Sequence, residues 1–341
     1  MPAMTRLQHQ AATTRVWRGV ARVASGLCAA GLVAMSWAQS PGPAASPSTD
    51  RAAPRMTTVT PERVQVPSLD RSGAEPVQQP GFWFPAGPAG EGPPRPALVL
   101  LHGCGGPYAR DGQRLSERMR EYAAWLNGLG IHVLVTDSLT PRGERELCTQ
   151  RMGGRRVTQV ERRRDALGAL QWLAAQPGVD PARVGLLGWS HGGSAVLAAT
   201  NAQHPEVQRA PVAPSLAVAF YPGCSADLRR GYEARAPLLL LVGEDDDWTP
   251  AEPCRQLAAQ ARGAAVTFHA YPGAVHGFDG TAPVITRRDV PNGVRPGQGV
   301  RAGAGEGVVE ARTTKIVRVE LVDTGAGLAE PVAFTTMNQY Y

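Results

Sequence analysis

Six residues constrain this chain more than any others: Gly188-Trp189-Ser190-His191-Gly192-Gly193. The apolar run Val184-Gly185-Leu186-Leu187 before them reads as a buried strand, and Ala195-Val196-Leu197-Ala198-Ala199 after them reads as a helix. A G-x-S-x-G joining strand to helix makes a turn so tight that the serine backbone is strained and its hydroxyl stands clear of the sheet. Glycine is needed two residues before and after the serine, because a side chain there would strike the strand or helix crossing the turn. Glycine fills 39 of the 341 positions, so the pentapeptide can arise by chance. Its weight depends on whether the chain supplies partners for Ser190 in a workable order.

Strands and helices alternate on both sides of this turn. Arg63-Val64-Gln65-Val66 and Gly81-Phe82-Trp83-Phe84-Pro85 read as strands, followed by a Gly/Pro loop over 86–96. Ala97-Leu98-Val99-Leu100-Leu101 is a continuous apolar run, as expected of a strand covered on both faces. Leu115 to Leu126 has helical spacing, Ile131 to Val135 is a strand ending at Asp137, and Val160 to Ala175 is a helix. Strands at Leu216–Phe220, Leu238–Val242 and Val266–Ala270 follow, with helical stretches at 191–202 and 251–261. This pattern predicts an α/β fold, a mostly parallel doubly wound sheet of about eight strands with helices on both faces. Residues 280–307, loaded with Gly, Pro and Arg, read as irregular, and Val308 to Val322 as either a closing helix or a strand.

The ends of the chain differ from its middle. Residues 1–38 hold Arg6, Arg15, Arg18 and Arg22 with no acid, then an apolar run from Val23 ending Ser36-Trp37-Ala38. That combination reads as a cleavable secretory signal peptide; a membrane anchor is the alternative, but the run is short for a span. Residues 39–56, rich in Pro, Ala and Ser, read as a flexible leader, which puts the catalytic domain at 57–307 and an atypical segment at 308–341. Without the first 38 residues the 35 basic side chains fall to 31 against 29 acidic ones, a net charge of +2. Such a balance gives no basic patch for nucleic acid, and no stable membrane insertion is expected after cleavage. The expected location is secreted or periplasmic. Four cysteines remain: Cys104, Cys148, Cys224 and Cys254, each read as lying in a loop after a predicted strand. Three pairings are open to them; Cys104–Cys148 with Cys224–Cys254 is the expected one, free buried thiols the alternative. Their spacing does not suit zinc.

A serine hydroxyl needs a base to become a nucleophile, and that base is usually a histidine oriented by a carboxylate. Leu238 to Gly243 runs into Glu244-Asp245-Asp246-Asp247-Trp248, where four successive carboxylates cannot all address one imidazole. Asp246 is the expected acid, with Asp245 and Asp247 as fallbacks. The strand Val266–Tyr271 is followed by Pro272-Gly273-Ala274-Val275-His276-Gly277-Phe278, making His276 the expected base. His269, inside the strand, reads as a packing residue. Acyl transfer also needs N–H donors for its oxyanion. The backbone N–H of His191 is one candidate, and that of Cys104, in His102-Gly103-Cys104-Gly105-Gly106, is the other. Arg142, Trp189, Tyr221 and Trp248 are candidate substrate-binding residues, Arg142 as a clamp for a substrate carboxylate.

From about residue 64 to 280 the chain resembles the dienelactone hydrolase family of α/β-hydrolases, particularly its exported bacterial branch. The stretches that carry the resemblance are Leu101-His102-Gly103-Cys104-Gly105-Gly106, Asp137-Ser138-Leu139-Thr140-Pro141-Arg142-Gly143, Gly188 to Gly193, Tyr221-Pro222-Gly223-Cys224, Gly243 to Pro250, and His276-Gly277-Phe278. The resemblance implies the α/β-hydrolase fold and puts Asp246 at the family's catalytic acid position. Founding members carry cysteine at the elbow where this chain has Ser190. The expectation is therefore a serine hydrolase acting on small carboxylic esters or lactones, needing no metal or organic cofactor. A peptidase or acyltransferase on the same fold, or a non-catalytic binding protein, are the alternatives.

Overall fold

A computed structural model of the protein describes residues 60–87, 92–291, 295 and 297–304. The expected signal peptide, leader and C-terminal segment lie outside these residues. In chain order the elements are β1 (Glu62–Ser72), β2 (Glu75–Phe84), β3 (Arg95–Leu101), α1 (Glu117–Gly128), β4 (His132–Thr136), α2 (Gln159–Ala174) and β5 (Val179–Trp189). They continue as α3 (His191–Thr200), α4 (Pro205–Arg209), β6 (Leu216–Phe220), α5 (Ser225–Arg230), β7 (Glu233–Ala234), β8 (Leu238–Gly243) and α6 (Ala251–Gln260). The last four are β9 (Arg262–Gly263), β10 (Val266–Tyr271), β11 (Ile285–Arg287) and β12 (Val300–Ala302).

Eight strands form the central sheet, in the order β1-β2-β4-β3-β5-β6-β8-β10. Pairing is parallel from β4 to β10, while β1 and β2 join as an antiparallel hairpin at one edge. Alternation along each strand divides the core between two faces. Ala97, Val99 and Leu101 of β3 pack with buried residues of α2, α3 and α6, whereas Leu98 and Leu100 pack with α1. The chain winds from β3 out to β4 and then returns to β5 on the other side of β3. That reversal opens a crevice at the carboxyl ends of β3 and β5, where sheets of this kind place their sites.

The hairpin is longer than its apolar patterning predicts. Asp70, Arg71, Gln78 and Gln79 break the alternation, but strand pairing still carries β1 and β2 around the turn from Ser72 to Glu75. The stretch read as irregular contains an antiparallel pair, with Ile285 opposite Ala302 and Arg287 opposite Val300. His269 is corrected too: it stands on the exposed side of β10, stacked edge-on against Tyr271, because no described element covers that face of the edge strand. Among the described residues no helix is long and apolar enough to cross a membrane.

Both expected disulfides are present, Cys104–Cys148 and Cys224–Cys254. Cys254 lies within α6 rather than in a loop, and ties that helix to the segment after β6. Cross-links of this kind stabilise mainly by restricting the unfolded chain, and the second closes a separation of 30 residues. Replacing Cys224 and Cys254 together by alanine is expected to lower the unfolding free energy by about 3–4 kcal/mol. Urea melts of the two proteins under non-reducing conditions measure the difference; equal midpoints would contradict it.

Candidate active site

The turn between β5 and α3 holds Ser190 at φ +53° and ψ −115°, a conformation costing a non-glycine residue of order 1–3 kcal/mol. Two hydrogen bonds hold it: Ser190 N–H to the Phe220 carbonyl, 2.9 Å, and Ser194 N–H to the Ser190 carbonyl, 2.8 Å. The flanking glycines are demanded by close approach. A Cβ on Gly188 would fall on the Gly192 carbonyl, and one on Gly192 would fall on the Leu101 carbonyl at the end of β3.

Three loops converge on this serine. The imidazole of His276, in the loop after β10, has Nε2 2.9 Å from Ser190 Oγ and Nδ1 2.8 Å from Asp246 Oδ2. A carboxylate oxygen facing the ring can only accept, so Nδ1 carries the proton and Nε2 presents a lone pair to the hydroxyl. Asp246 follows β8 and is fixed by its own loop. Its Oδ1 accepts the backbone N–H groups of Trp248 and Thr249, both at 2.8 Å, and its Oδ2 lies 2.9 Å from Thr249 Oγ1. Asp246 and His276 are 4% and 5% exposed, so their pairing is little screened by water. The two fallback acids are elsewhere: the Asp247 carboxylate binds the backbone N–H and the guanidinium of Arg301, and Asp245 is exposed.

The loop after β3 passes directly beside Ser190, since a Cβ on Gly103 would stand 3.6 Å from Ser190 Cβ. His102 sets the geometry of that loop. Its Nδ1 lies 2.7 Å from the Gly103 carbonyl and its Nε2 3.3 Å from the backbone N–H of Ser138. A carbonyl only accepts and a backbone N–H only donates, so His102 is neutral and carries its proton on Nδ1. Burial, reinforced by the Arg162 guanidinium, holds its pKa well below the ordinary histidine value. Because the Gly103–Cys104 peptide is trans, anchoring its carbonyl on His102 turns the Cys104 N–H to the opposite side. The Cys104 carbonyl in turn accepts Leu147 N–H at 2.8 Å, and its sulfur is bonded to Cys148. Among the described residues neither the Cys104 nor the His191 backbone N–H donates to a protein acceptor. The His191 ring is buried behind the turn; burial, with Arg162 and Arg155 adding, keeps it neutral.

The four candidate substrate-binding residues separate. Trp248 is half-buried with its ring 4.5 Å from that of His276, at the site. Arg142 is corrected: its guanidinium bonds Asp165, Asp70 and the Ser138 carbonyl, so every N–H is taken and none remains for a substrate carboxylate. Trp189 and Tyr221 are each 1% exposed and point inward, where both bond the carboxylate of Asp279. Asp279 was not among the expected site residues; its one signal in the sequence is an acid immediately after His276-Gly277-Phe278. Among the described residues no group of three or more His, Cys, Asp or Glu is arranged to hold a metal ion.

A parallel sheet with a strained serine at the β5–α3 turn and an Asp-His pair on later loops defines the α/β-hydrolase class. The profile of the Dienelactone hydrolase family matches residues 84–289, more than half of the chain, and the protein belongs to that family. Two uncharacterized proteins of Mycobacterium tuberculosis, MT2364 of strain CDC 1551 and Rv2307c of strain H37Rv, are each 32% identical over 199 residues. The match covers 53% of this chain and 62% of theirs, so it spans less than two thirds of those relatives. Among solved structures, esterase 2 of Thermogutta terrifontis phosphorylated by paraoxon is similar, with 18% identity and a TM-score of 0.49, over 65% of this chain and 86% of that one. A dienelactone hydrolase-like promiscuous phosphotriesterase from metagenomic libraries is similar at 22% identity and a TM-score of 0.46, over 64% of this chain and 85% of that one.

Proposed function

We propose that the protein is a serine hydrolase that cleaves carboxylic esters or lactones through an acyl-enzyme. The observation that carries this reading is the unbroken line of contacts from Asp246 through His276 to Ser190 Oγ, at 2.8 and 2.9 Å. Ser190 Oγ attacks the substrate carbonyl carbon while its proton passes to His276 Nε2. Asp246 holds the ring in the required tautomer and stabilises the imidazolium. The oxyanion lies against the N–H groups of Cys104 and His191, which the His102 anchor and the start of α3 aim in advance. His276 then gives its proton to the departing alkoxide, leaving an acyl group on Ser190. Water, deprotonated by the same Nε2, attacks that ester, and collapse releases the acid and restores the serine.

Serine rather than cysteine at the elbow favours ordinary esters and lactones, since the harder, more basic alkoxide depends fully on its histidine. Trp248 is the apolar wall we assign to the substrate. The basic and then apolar start of the chain and the two disulfides support export to an oxidising compartment. The test compares a p-nitrophenyl ester, a simple lactone and a matched p-nitroanilide. Ester and lactone turnover, with a burst of one equivalent of nitrophenol, is expected. Faster cleavage of the anilide would make the protein a peptidase, and turnover of none of them would favour a binding protein.

A further inference from the structure

A second heavily bonded carboxylate near the site belongs to Asp279, which the hydrolytic scheme does not use. Its Oδ1 accepts Tyr221 O–H at 2.7 Å and faces Arg118 Nη2 at 3.2 Å. Its Oδ2 accepts Trp189 Nε1–H at 2.8 Å and Tyr122 O–H at 3.1 Å. Four donors thus meet one carboxylate whose side chain is 6% exposed. They come from three separate places: α1 supplies Arg118 and Tyr122, the end of β5 supplies Trp189, and the residue just after β6 is Tyr221. Burial, with Asp279 adding, holds both phenols well above the ordinary tyrosine range, so both remain donors.

Three of the four ties lead back to the reacting groups. Trp189 is the residue before Ser190. Tyr221 has left-handed backbone, φ +36°, places its ring edge-on to His276 with centroids 4.7 Å apart, and offers its carbonyl to Thr249 Oγ1 beside Asp246. Asp279 itself lies three residues beyond His276, and Arg118 also reaches the Gly277 carbonyl at 3.5 Å. Removing Asp279 would leave buried donors from α1, β5 and the residue after β6 unmatched and free the histidine loop from the nucleophile turn.

We infer that Asp279 is a positioning residue that fixes His276 relative to Ser190, by locking the histidine loop to the nucleophile turn and to the Tyr221 ring. This rests on the serine-hydrolase reading above. Misplacing a base by an ångström lowers turnover about a hundredfold without weakening substrate binding. A merely structural tie would instead reduce the fraction of folded enzyme.

The test is Asp279→Asn in the full-length protein, with active sites counted by fluorophosphonate titration. Per titrated site, kcat on a p-nitrophenyl ester should fall about 10- to 100-fold with KM within threefold, and phosphonylation should slow by a similar factor. The low-field Nδ1–H proton resonance of His276 should broaden or vanish. An unchanged kcat per site, or a loss confined to KM, overturns the inference. If Asp279→Asn does not fold, Tyr221→Phe removes one of the bonds and keeps the ring; a several-fold loss in kcat supports the inference and an unchanged kcat overturns it. Failure of the parent protein to react with fluorophosphonate would instead overturn the serine-hydrolase reading itself.

Discussion

Replacing Ser190 with alanine should lower kcat on an activated ester by on the order of 10⁶-fold, about 8 kcal/mol of transition-state stabilisation, while the fold is retained. The change deletes only Oγ. The backbone at 190 keeps its bonds to Phe220 and Ser194, and loses no packing partner of the core. His276→Ala should cost about as much, and combining the two should add little, because nucleophile and base act as one unit. Asp246→Asn should cost less, about 10⁴-fold, since it leaves the histidine in place but presents the wrong tautomer to Ser190. Steady-state kinetics of the three single variants and the Ser190/His276 double variant check this pattern. Additive losses in the double variant would mean that the two side chains do not share a step.

The second large effect is on stability. Acidification from pH 6.5 should destabilise the domain steeply, before most of its carboxylates titrate. His102 and His191 are both sealed in the protein, and burial first, Arg162 second, lowers their folded pKa well below 6.5. The unfolded chain protonates both rings as pH drops through about 6.5, whereas the folded state does not. Below that point the unfolded state binds more protons, so stability falls with falling pH, and continues to fall down to the lowered folded values. Each histidine contributes a slope of up to about 1.4 kcal/mol per pH unit, roughly 2.7 for the pair. Their contribution is fully present at pH 7.5. Urea melts at steps from pH 7.5 to 5 read the slope directly, and His191→Leu should remove about half of it. A slope of half this size would show that one of the rings takes up a proton in the folded state, and a flat profile that both do.

Much of this architecture was legible because the responsible signals are local. Continuous apolar runs such as Leu238–Val242 read as strands buried on both faces, and the glycines around Ser190 report a close crossing with β3. The serine, acid and histidine could be ordered by the strands that precede them. What resisted reading depends on side chains distant in sequence. Arg142 has the chemistry of a substrate clamp, yet Asp70 and Asp165, 72 and 23 residues away, consume it. Trp189 and Tyr221 flank the site in sequence, but Asp279 draws both inward. His269 looked internal because its neighbours are apolar; an edge strand with one open face places it outside. The helical stretch expected at 251–261 is α6, and Cys254 lies inside it rather than in the loop after β8.

Activation of Ser190 can be read from reaction of the folded protein with a fluorophosphonate, followed by peptide mass spectrometry. The expected result is one adduct, on Ser190, formed rapidly in the parent protein and lost in His276→Ala. Folded protein that yields no adduct, or one on another residue, would contradict it.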